Sequence, residues 1–468
     1  FFFSSRRRHT RSASVSWARR CVLETVFSLF SIFITILWIV IGTSKVKLHP
    51  FLVLLSASFL LAILLGIKPI EMIILIQKGF GNIIQNIGLL ILFGTIIGIA
   101  LEESNGTLSI AQGILKRLTR LPLAYAISCI GYLVSIPVFC DAAFVILSHL
   151  NKTLSKKTKT PLVGLTVALS TGLFAPHVLV PPTPGPLAAA SNLQLENILL
   201  LISVGGIIAF ILIIVGGTYG NYLIKKNKYT FEEGEEDQSK NEKISDVPGF
   251  TLAILPILIP IILMGAGTLI KFFPPDFIII DLLNLITQPT FALGIGMLFA
   301  FRLFINNNKT NINKSIKKGV IQAAPILIIT GMGGSLGSII QTIPLHDFAK
   351  DISSYQSLGI LIPFGIAALL KTAQGSSTVA IITTSSIVFP LLPLLNLDSE
   401  IGKVWVIMSL GVGSMTVSHA NDSYFWIVSQ MSGMDVKTAY KTHTMGTLLQ
   451  GIIGFIIVFT GYSLWRVF

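Results

Sequence analysis

Charge is scarce in this chain. Only 12% of its 468 residues are Asp, Glu, Lys or Arg, about half the share of a soluble domain. That excludes an ordinary water-facing surface over most of its length. Cysteine is scarcer still. Cys21, Cys129 and Cys140 are the only three, and all lie in or beside apolar segments. An odd, sparse set excludes a disulfide framework and a cysteine metal centre, and reads as small buried side chains. The chain has no His-Glu-x-x-His, no Gly-x-Ser-x-Gly, no phosphate loop and no dinucleotide fingerprint. No cofactor or metal is expected, and the chain does not read as an enzyme.

What is present is apolar sequence, 52% of the residues. Runs of about 20 apolar residues are long enough to cross the hydrocarbon core. They occur at 22–43, 50–67, 83–101, 161–180, 196–219, 250–271, 288–305, 319–341, 404–420 and 444–465, and two further regions, 121–150 and 357–396, are apolar but broken. The expected fold is an all-α polytopic membrane protein. It has about ten transmembrane helices plus two re-entrant or broken hairpins, in two halves of inverted topology.

One long hydrophilic segment divides the halves. Residues 224–249 (IKKNKYTFEEGEEDQSKNEKISDVPG) are charged, poor in large apolar side chains and closed by Pro-Gly, the marks of a solvated linker. Residues 1–20 carry six arginines, no acid and no initiating Met; they read as a non-native or disordered basic leader and are set aside from fold reasoning. Residues 21–44 then form an N-terminal transmembrane helix, 45–223 the first half and 250–468 the second. A nucleic-acid partner is not expected of a basic stretch on a membrane protein.

Loop charge suggests how the halves lie. Lys116, Arg117 and Arg120 precede the first broken region, and Lys152, Lys156, Lys157 and Lys159 follow it. Basic loops prefer the cytoplasm. Thirty residues are too few for two spans, so a hairpin entering from the cytoplasm fits, with its tip near Pro137 to Asp141. Asp347, Lys350 and Asp351 precede the second broken region, and Asp398, Glu400 and Lys403 follow it. That balance suggests a hairpin entering from outside, with its tip near Gln374 to Thr378.

Four polar or Pro/Gly-rich clusters interrupt the apolar sequence: IPVFCD (136–141), HVLVPPTPGP (177–186), KTAQGSST (371–378) and SHANDS (418–423). Two fall in each half. Irregular backbone at membrane depth is tolerated only where protein buries it or where it lines a cavity. Paired interruptions in two halves point to the substrate site of a secondary transporter.

Each cluster also carries its own chemistry. Asp141 is an acid at bilayer depth, which is costly and faces a cavity or a partner; it is a candidate proton carrier, or else a helix cap. The prolines 181, 182, 184 and 186 cannot continue a helix, so an extended stretch is expected there, with Pro181, Pro182, Thr183 and Gly185 offering backbone groups to a ligand. Lys371, Gln374, Gly375, Ser376, Ser377 and Thr378 place a cation beside the expected start of a half-helix, a pairing that attracts anions. Asn421 and Asp422, with His177 and His419, add amide, carboxylate and imidazole groups. The bland alternatives are surface loops and hydroxyls packed between helices.

At these clusters the chain resembles the bacterial gluconate permease family of proton symporters. The resemblance runs from about Val46 to the C-terminus. It rests on Ala175-Pro176-His177 with Pro181 to Pro186, on Gly375 to Ala380, and on Ser418 to Asp422 with Phe425-Trp426 close behind. The chain departs from the family pattern at Asp141 and Ala143, where Glu and Gly are usual, at Thr183, where His is usual, and at Lys371, where Arg is usual.

The resemblance implies a multi-pass protein of the bacterial inner membrane that imports gluconate or a similar small hydroxylated carboxylate with a proton. Its partners would be that organic anion, the proton, the lipid bilayer and, compatibly, further copies of itself. In that reading Lys371 and Ser376 to Thr378 hold the carboxylate, Asn421 and the backbone around Pro181 to Gly185 bind hydroxyls, and Asp141 or Asp422 carries the proton, with His177 or His419 as alternatives. A D-serine or other hydroxy-acid permease is one rival. A cation–proton antiporter or ion channel is another, and it gives no reason for Lys371.

Overall fold

The structure is a computed structural model describing residues 27–28, 30–42, 45–226, 247–270, 280–304, 312–343, 359–420 and 422–467. The leader 1–20, most of the linker 224–249, the flank around Asp347 to Asp351, and Asn421 lie outside these residues.

The first half runs α1 (Phe30–Gly42), α2 (Pro50–Leu64), α3 (Pro69–Glu103), α4 (Gly106–Arg117), α5 (Leu123–Ser135), α6 (Cys140–Thr158), α7 (Leu162–Leu179), α8 (Pro184–Asn192) and α9 (Ile198–Lys226). The second runs α10 (Phe250–Ile270), α11 (Ile280–Thr287), α12 (Pro289–Arg302), α13 (Ile312–Ile340), α14 (Leu361–Gln374), α15 (Ser377–Val388), α16 (Glu400–Met415), α17 (Ser423–Ser432), α18 (Val436–Ala439) and α19 (Met445–Val467). One π turn, Tyr440–Thr444, joins the last two. No strand occurs among the described residues.

Each of the ten apolar runs overlaps a helix among the described residues. Six helical segments among the described residues are long and apolar enough to cross a bilayer, or seven with the α11–α12 pair, which bends by 67°. The runs at 50–67, 288–305 and 404–420 become shorter helices of 15, 14 and 16 residues. Apolar length alone overstated them because their ends are spent on caps and turns.

Both broken regions are helix–turn–helix units. Thirteen-residue α5 spans about 20 Å at 1.5 Å per residue, short of a roughly 30 Å hydrocarbon core. It turns through Ile136 to Phe139 into α6. The 14-residue α14 ends at Gly375, whose φ of +82° suits a residue without Cβ. Ser376 then caps α15, its hydroxyl accepting from the Val379 N–H.

Helix α7 lies at the centre. Every residue from Val163 to Leu179 is buried. Packing of this density needs small residues, because lipid gives helices no hydrophobic reason to associate. A Cβ on Gly172 would stand 2.6 Å from the Ser128 carbonyl oxygen, and one on Gly131 would stand 2.7 Å from the Gly172 carbonyl carbon. On α3 and α13, Gly79 and Gly334 abut each other's backbone in the same way.

Replacing Gly172 by Val should therefore force α5 and α7 apart at a cost of about 3 kcal/mol. A lower melting temperature in detergent is expected, whereas Gly365→Ala, where an added Cβ meets nothing within 4 Å, should leave melting unchanged or slightly raised. Equal melting of Gly172→Val and wild type would refute the close approach.

Candidate functional site

Four interruptions bring backbone and polar side chains to the middle of the bundle, and three of them meet. A cavity of about 240 Å³ is walled by Phe139, Cys140, Asp141 and Ala142 at the start of α6, Phe174 and His177 of α7, Gln322 of α13, Gly375 to Thr378 at the second hairpin turn, and Asp422, Ser423 and Tyr424 at the start of α17. The starts of α6, α15 and α17 all face it. Helix starts leave N–H groups without intrahelical partners and carry partial positive charge, so the space is suited to an anion. It is far larger than one water requires.

Asp141 sits in the first turn of α6, behind Phe139 at the N-cap. It is therefore not the cap itself. Its Oδ2 accepts from the Ser423 hydroxyl at 3.3 Å, and its Oδ1 from the Cys140 thiol at 3.6 Å. The first contact joins the two halves of the chain.

Lys371 is placed otherwise than its role as an open carboxylate anchor requires. It is enclosed, with its side chain 1% exposed, and pairs at 2.6 Å with Asp422, itself 4% exposed. Nζ also donates to the Gly375 carbonyl at 2.8 Å and lies 5.5 Å from the centre of the Phe174 ring. Lys371 is absent from the cavity wall. A lysine this dry needs a partner, and the one within reach is Asp422. The helix starts line the space and the ammonium does not.

Asp422 is held on every side. Oδ2 takes Lys371 and the Ser418 hydroxyl, the latter at 2.5 Å, and Oδ1 takes the Tyr424 N–H at 3.0 Å as the cap of α17. Behind Ser418 stands His443, whose Nε2 is 3.1 Å from the Ser418 hydroxyl and whose Nδ1 is 3.1 Å from the Ser170 hydroxyl. Tyr424 OH donates to the Ser170 carbonyl at 2.9 Å. The break between α16 and α17 is fixed by the π turn and by α19. Thr447 accepts the Ser418 N–H, and Thr444 donates to the Ser418 carbonyl. Val417 takes φ +58° there, a costly conformation for a β-branched residue.

The proline cluster lies apart. Helix α7 continues through Pro176 and His177 to Leu179, and only Val180 to Thr183 are irregular. Pro184 and Pro186 open α8 instead of extending the chain, because the first helical turn requires no N–H donor. Pro182, Thr183 and Pro184 face a much smaller space against Gly94 and Thr95 of α3. Gly185 packs against Ile381. Neither Pro181 nor Gly185 reaches the cavity wall, so the expected extended ligand-binding stretch is a packed helix start.

The other candidates divide. His177 lines the cavity and its Nδ1 has no hydrogen-bond partner. His419 lies outside it and contacts the Thr372 carbonyl at 3.1 Å. Both amide atoms of Gln374 are buried without a partner, away from the cavity wall. Ser376, Ser377 and Thr378 face the cavity as expected. Sequence reasoning missed Gln322, Phe174, Tyr424, Ser170 and His443. The last three sit in apolar or loop-like surroundings where no local pattern marks them.

A helical bundle with interrupted helices gathered round a polar cavity is the architecture of a membrane transporter. The sequence matches the GntP family permease model over residues 27–464, and the chain belongs to that family. It is 31% identical over 448 residues to an uncharacterized permease of Haemophilus influenzae, spanning 92% of this chain and 91% of that one. It is 27% identical over 440 residues to a gluconate permease of Pseudomonas aeruginosa (92% and 97%). It is 28% identical over 434 residues to the D-serine transporter DsdX of Escherichia coli (92% and 96%).

Among solved structures, the fold resembles the Alcanivorax borkumensis YdaH transporter, with a TM-score of 0.64 and 14% identity over 89% of this chain and 99% of that one. It also resembles Neisseria gonorrhoeae MtrF, with a TM-score of 0.63 and 14% identity over 90% and 96%. The protein is a multi-pass membrane permease, of a family of transporters and not of enzymes.

Removing one partner of a buried ion pair costs about 3–5 kcal/mol, whereas replacing both can be nearly neutral. Lys371→Met alone should sharply lower melting and folded yield in detergent. Combining it with Asp422→Asn should recover most of the loss. A double variant no better than the single one would show that the pair is not coupled.

Proposed function

We propose that this permease imports gluconate or a similar small hydroxylated carboxylate across the bacterial inner membrane together with a proton. The observation that carries this reading is the convergence of three helix starts and two acids on one cavity. Three partial positive ends favour an anion there. The size of the cavity favours an organic molecule over a bare ion, which weighs against an antiporter or channel. The carboxylate would rest on the start of α15 at Ser376 to Thr378. Lys371 would act from behind, by fixing Gly375 and Asp422. Asp141, Asp422 and His177 are the proton-coupling candidates on the cavity wall.

A specific observation also favours an amino-acid substrate. Asp141 faces the cavity with a carboxylate that suits an ammonium group, and a relative named as a D-serine transporter is as similar as the gluconate permeases. Uptake of radiolabelled gluconate into proteoliposomes, with D-serine as competitor, decides between them. Accumulation driven by an inward proton gradient and displaced only by gluconate is expected. Asp141→Asn should lose that accumulation; unchanged concentrative uptake would remove Asp141 from the coupling role.

We further propose two halves of inverted topology. In each half a hairpin (α5–α6, α14–α15) precedes a broken helix (α7–α8, α16–α17) and then a long helix (α9, α19), and α3 and α13 meet reciprocally through Gly79 and Gly334. In a background with Cys21, Cys129 and Cys140 replaced, Lys157→Cys should label from the cytoplasmic side and Asp398→Cys from outside. Both positions are exposed, so labelling of both from one side would overturn the inversion.

A further inference from the structure

His443 is fully buried and sits in the one π turn among the described residues, a distortion that recurs at functional sites. It is two hydrogen bonds from the cavity wall. Asp422 lines the cavity, Ser418 donates to Asp422, and His443 Nε2 meets Ser418. On its other side Nδ1 meets Ser170, whose hydroxyl is also within 3.2 Å of the Val167 carbonyl.

These partners satisfy the imidazole in two protonation states without moving a heavy atom. In the neutral form, Nδ1–H donates to Ser170, Ser170 donates to Val167, and the Ser418 hydrogen turns to the Nε2 lone pair. In the charged form, Nε2–H donates to Ser418 and the Ser418 hydrogen turns to Asp422. Only one hydroxyl rotates, and hydroxyls rotate freely.

We propose that His443 stores the transported proton, with Ser418 and Asp422 as its path to the cavity; this rests on the proton-coupled reading above. A proton from cavity water arrives at Asp422 Oδ2. Ser418 takes it while passing its own to His443 Nε2. The O–H bond made at Asp422 breaks as a new one forms at Ser418, the original Ser418 O–H bond breaks as the N–H bond forms at His443, and no electron is exchanged.

The titratable groups facing His443 are Asp422 with Lys371 behind it, and Tyr424, whose ring is edge-on at 5.5 Å; α7 presents only the Ser170 hydroxyl. With His443 charged, two cations balance Asp422 and Asp141. The neutral site carries an excess negative charge that repels an incoming carboxylate. Proton and anion then favour each other's binding, which is the coupling a symporter requires.

The test has two arms. In the first, substrate-free protein is labelled with ¹⁵N-histidine, reconstituted in lipid and examined by solid-state NMR, with the His443 signal identified by its loss in His443→Gln. A change from one protonated ring nitrogen to two is expected as pH falls from about 8 to about 5, the range in which histidine works as a switch. The same signal in Ser418→Ala should shift in its pH dependence. A His443 that keeps one form throughout overturns the proposal.

The second arm measures gluconate uptake in proteoliposomes at an inward gradient of one pH unit, which per coupled proton supports about tenfold accumulation. Wild type should concentrate gluconate. His443→Gln and Ser418→Ala, checked as folded by melting, should lose the dependence on the gradient. Gradient-driven accumulation intact in both variants overturns the storage role while leaving proton symport standing. A wild type that concentrates neither gluconate nor D-serine sinks the function proposed above, and the NMR arm still decides whether His443 titrates.

Discussion

The buried pair of Lys371 and Asp422 constrains the rest of the structure. An ammonium and a carboxylate at 1% and 4% exposure are tolerable only together, because each alone would stand uncompensated in a dry interior. Lys371 belongs to the last turn of α14 and Asp422 caps α17. The second hairpin and the broken helix of that half therefore cannot separate without exposing a charge to the core. Everything polar nearby follows from this. Gly375 is drawn in by Lys371, Ser418 by Asp422, and His443 by Ser418. The pair also cancels its own charge, so the field in the cavity is set by the helix starts and by Asp141.

The interruptions in the two halves solve the same problem differently. Between α7 and α8 the break is short, and the prolines after it are absorbed by a new helix start. Thr183 satisfies the Val180 carbonyl locally. Between α16 and α17 local bonds from the Asp422 N–H to the His419 carbonyl and from Trp426 Nε1 to the Ala420 carbonyl leave Ser418 to be met from elsewhere. The Ser418 backbone groups are met by hydroxyls of Thr444 in the π turn and Thr447 in α19, and Val417 is held in a left-handed conformation. A break stabilised by another helix responds to movement of that helix. One stabilised by itself does not. The chemically richer interruption is also the one wired to its surroundings.

Much of this was legible in the sequence, for identifiable reasons. The apolar runs mark helices because bilayer burial leaves few other readings. Gly375-Ser376 marks the second hairpin turn because a left-handed C-cap followed by a hydroxyl N-cap has a local signature. The partner of Lys371 was not legible, since Asp422 lies 51 positions away and only tertiary packing chooses it over Asp141. The proline cluster misled because four prolines forbid a helix interior but not a helix start, and spacing alone does not separate these. His443 was invisible for a related reason: its importance comes from Ser170, 273 positions distant.

Polar contacts between the halves fall into two kinds. At the periphery, Glu103 meets Lys318 and Ser315, with Lys318 51% exposed, and Glu400 accepts from the N–H groups of Glu196 and Asn197 while 38% exposed. Lys403 adds a bond to the Gln194 carbonyl. Water competes for such groups, so each contact is worth about 1 kcal/mol or less. At the centre, Ser170 with His443 and Tyr424 joins the halves out of bulk water, and Asp141 with Ser423 joins them at the more exposed cavity wall. A carrier needs alternative states within a few kcal/mol of one another. Contacts that break cheaply at the rim allow that, whereas the central ones must be exchanged for equivalents or be altered by what occupies the cavity. In the proposed function, substrate and proton are the agents that reach Asp141 and Asp422, which places these two acids where movement of one half against the other would be controlled.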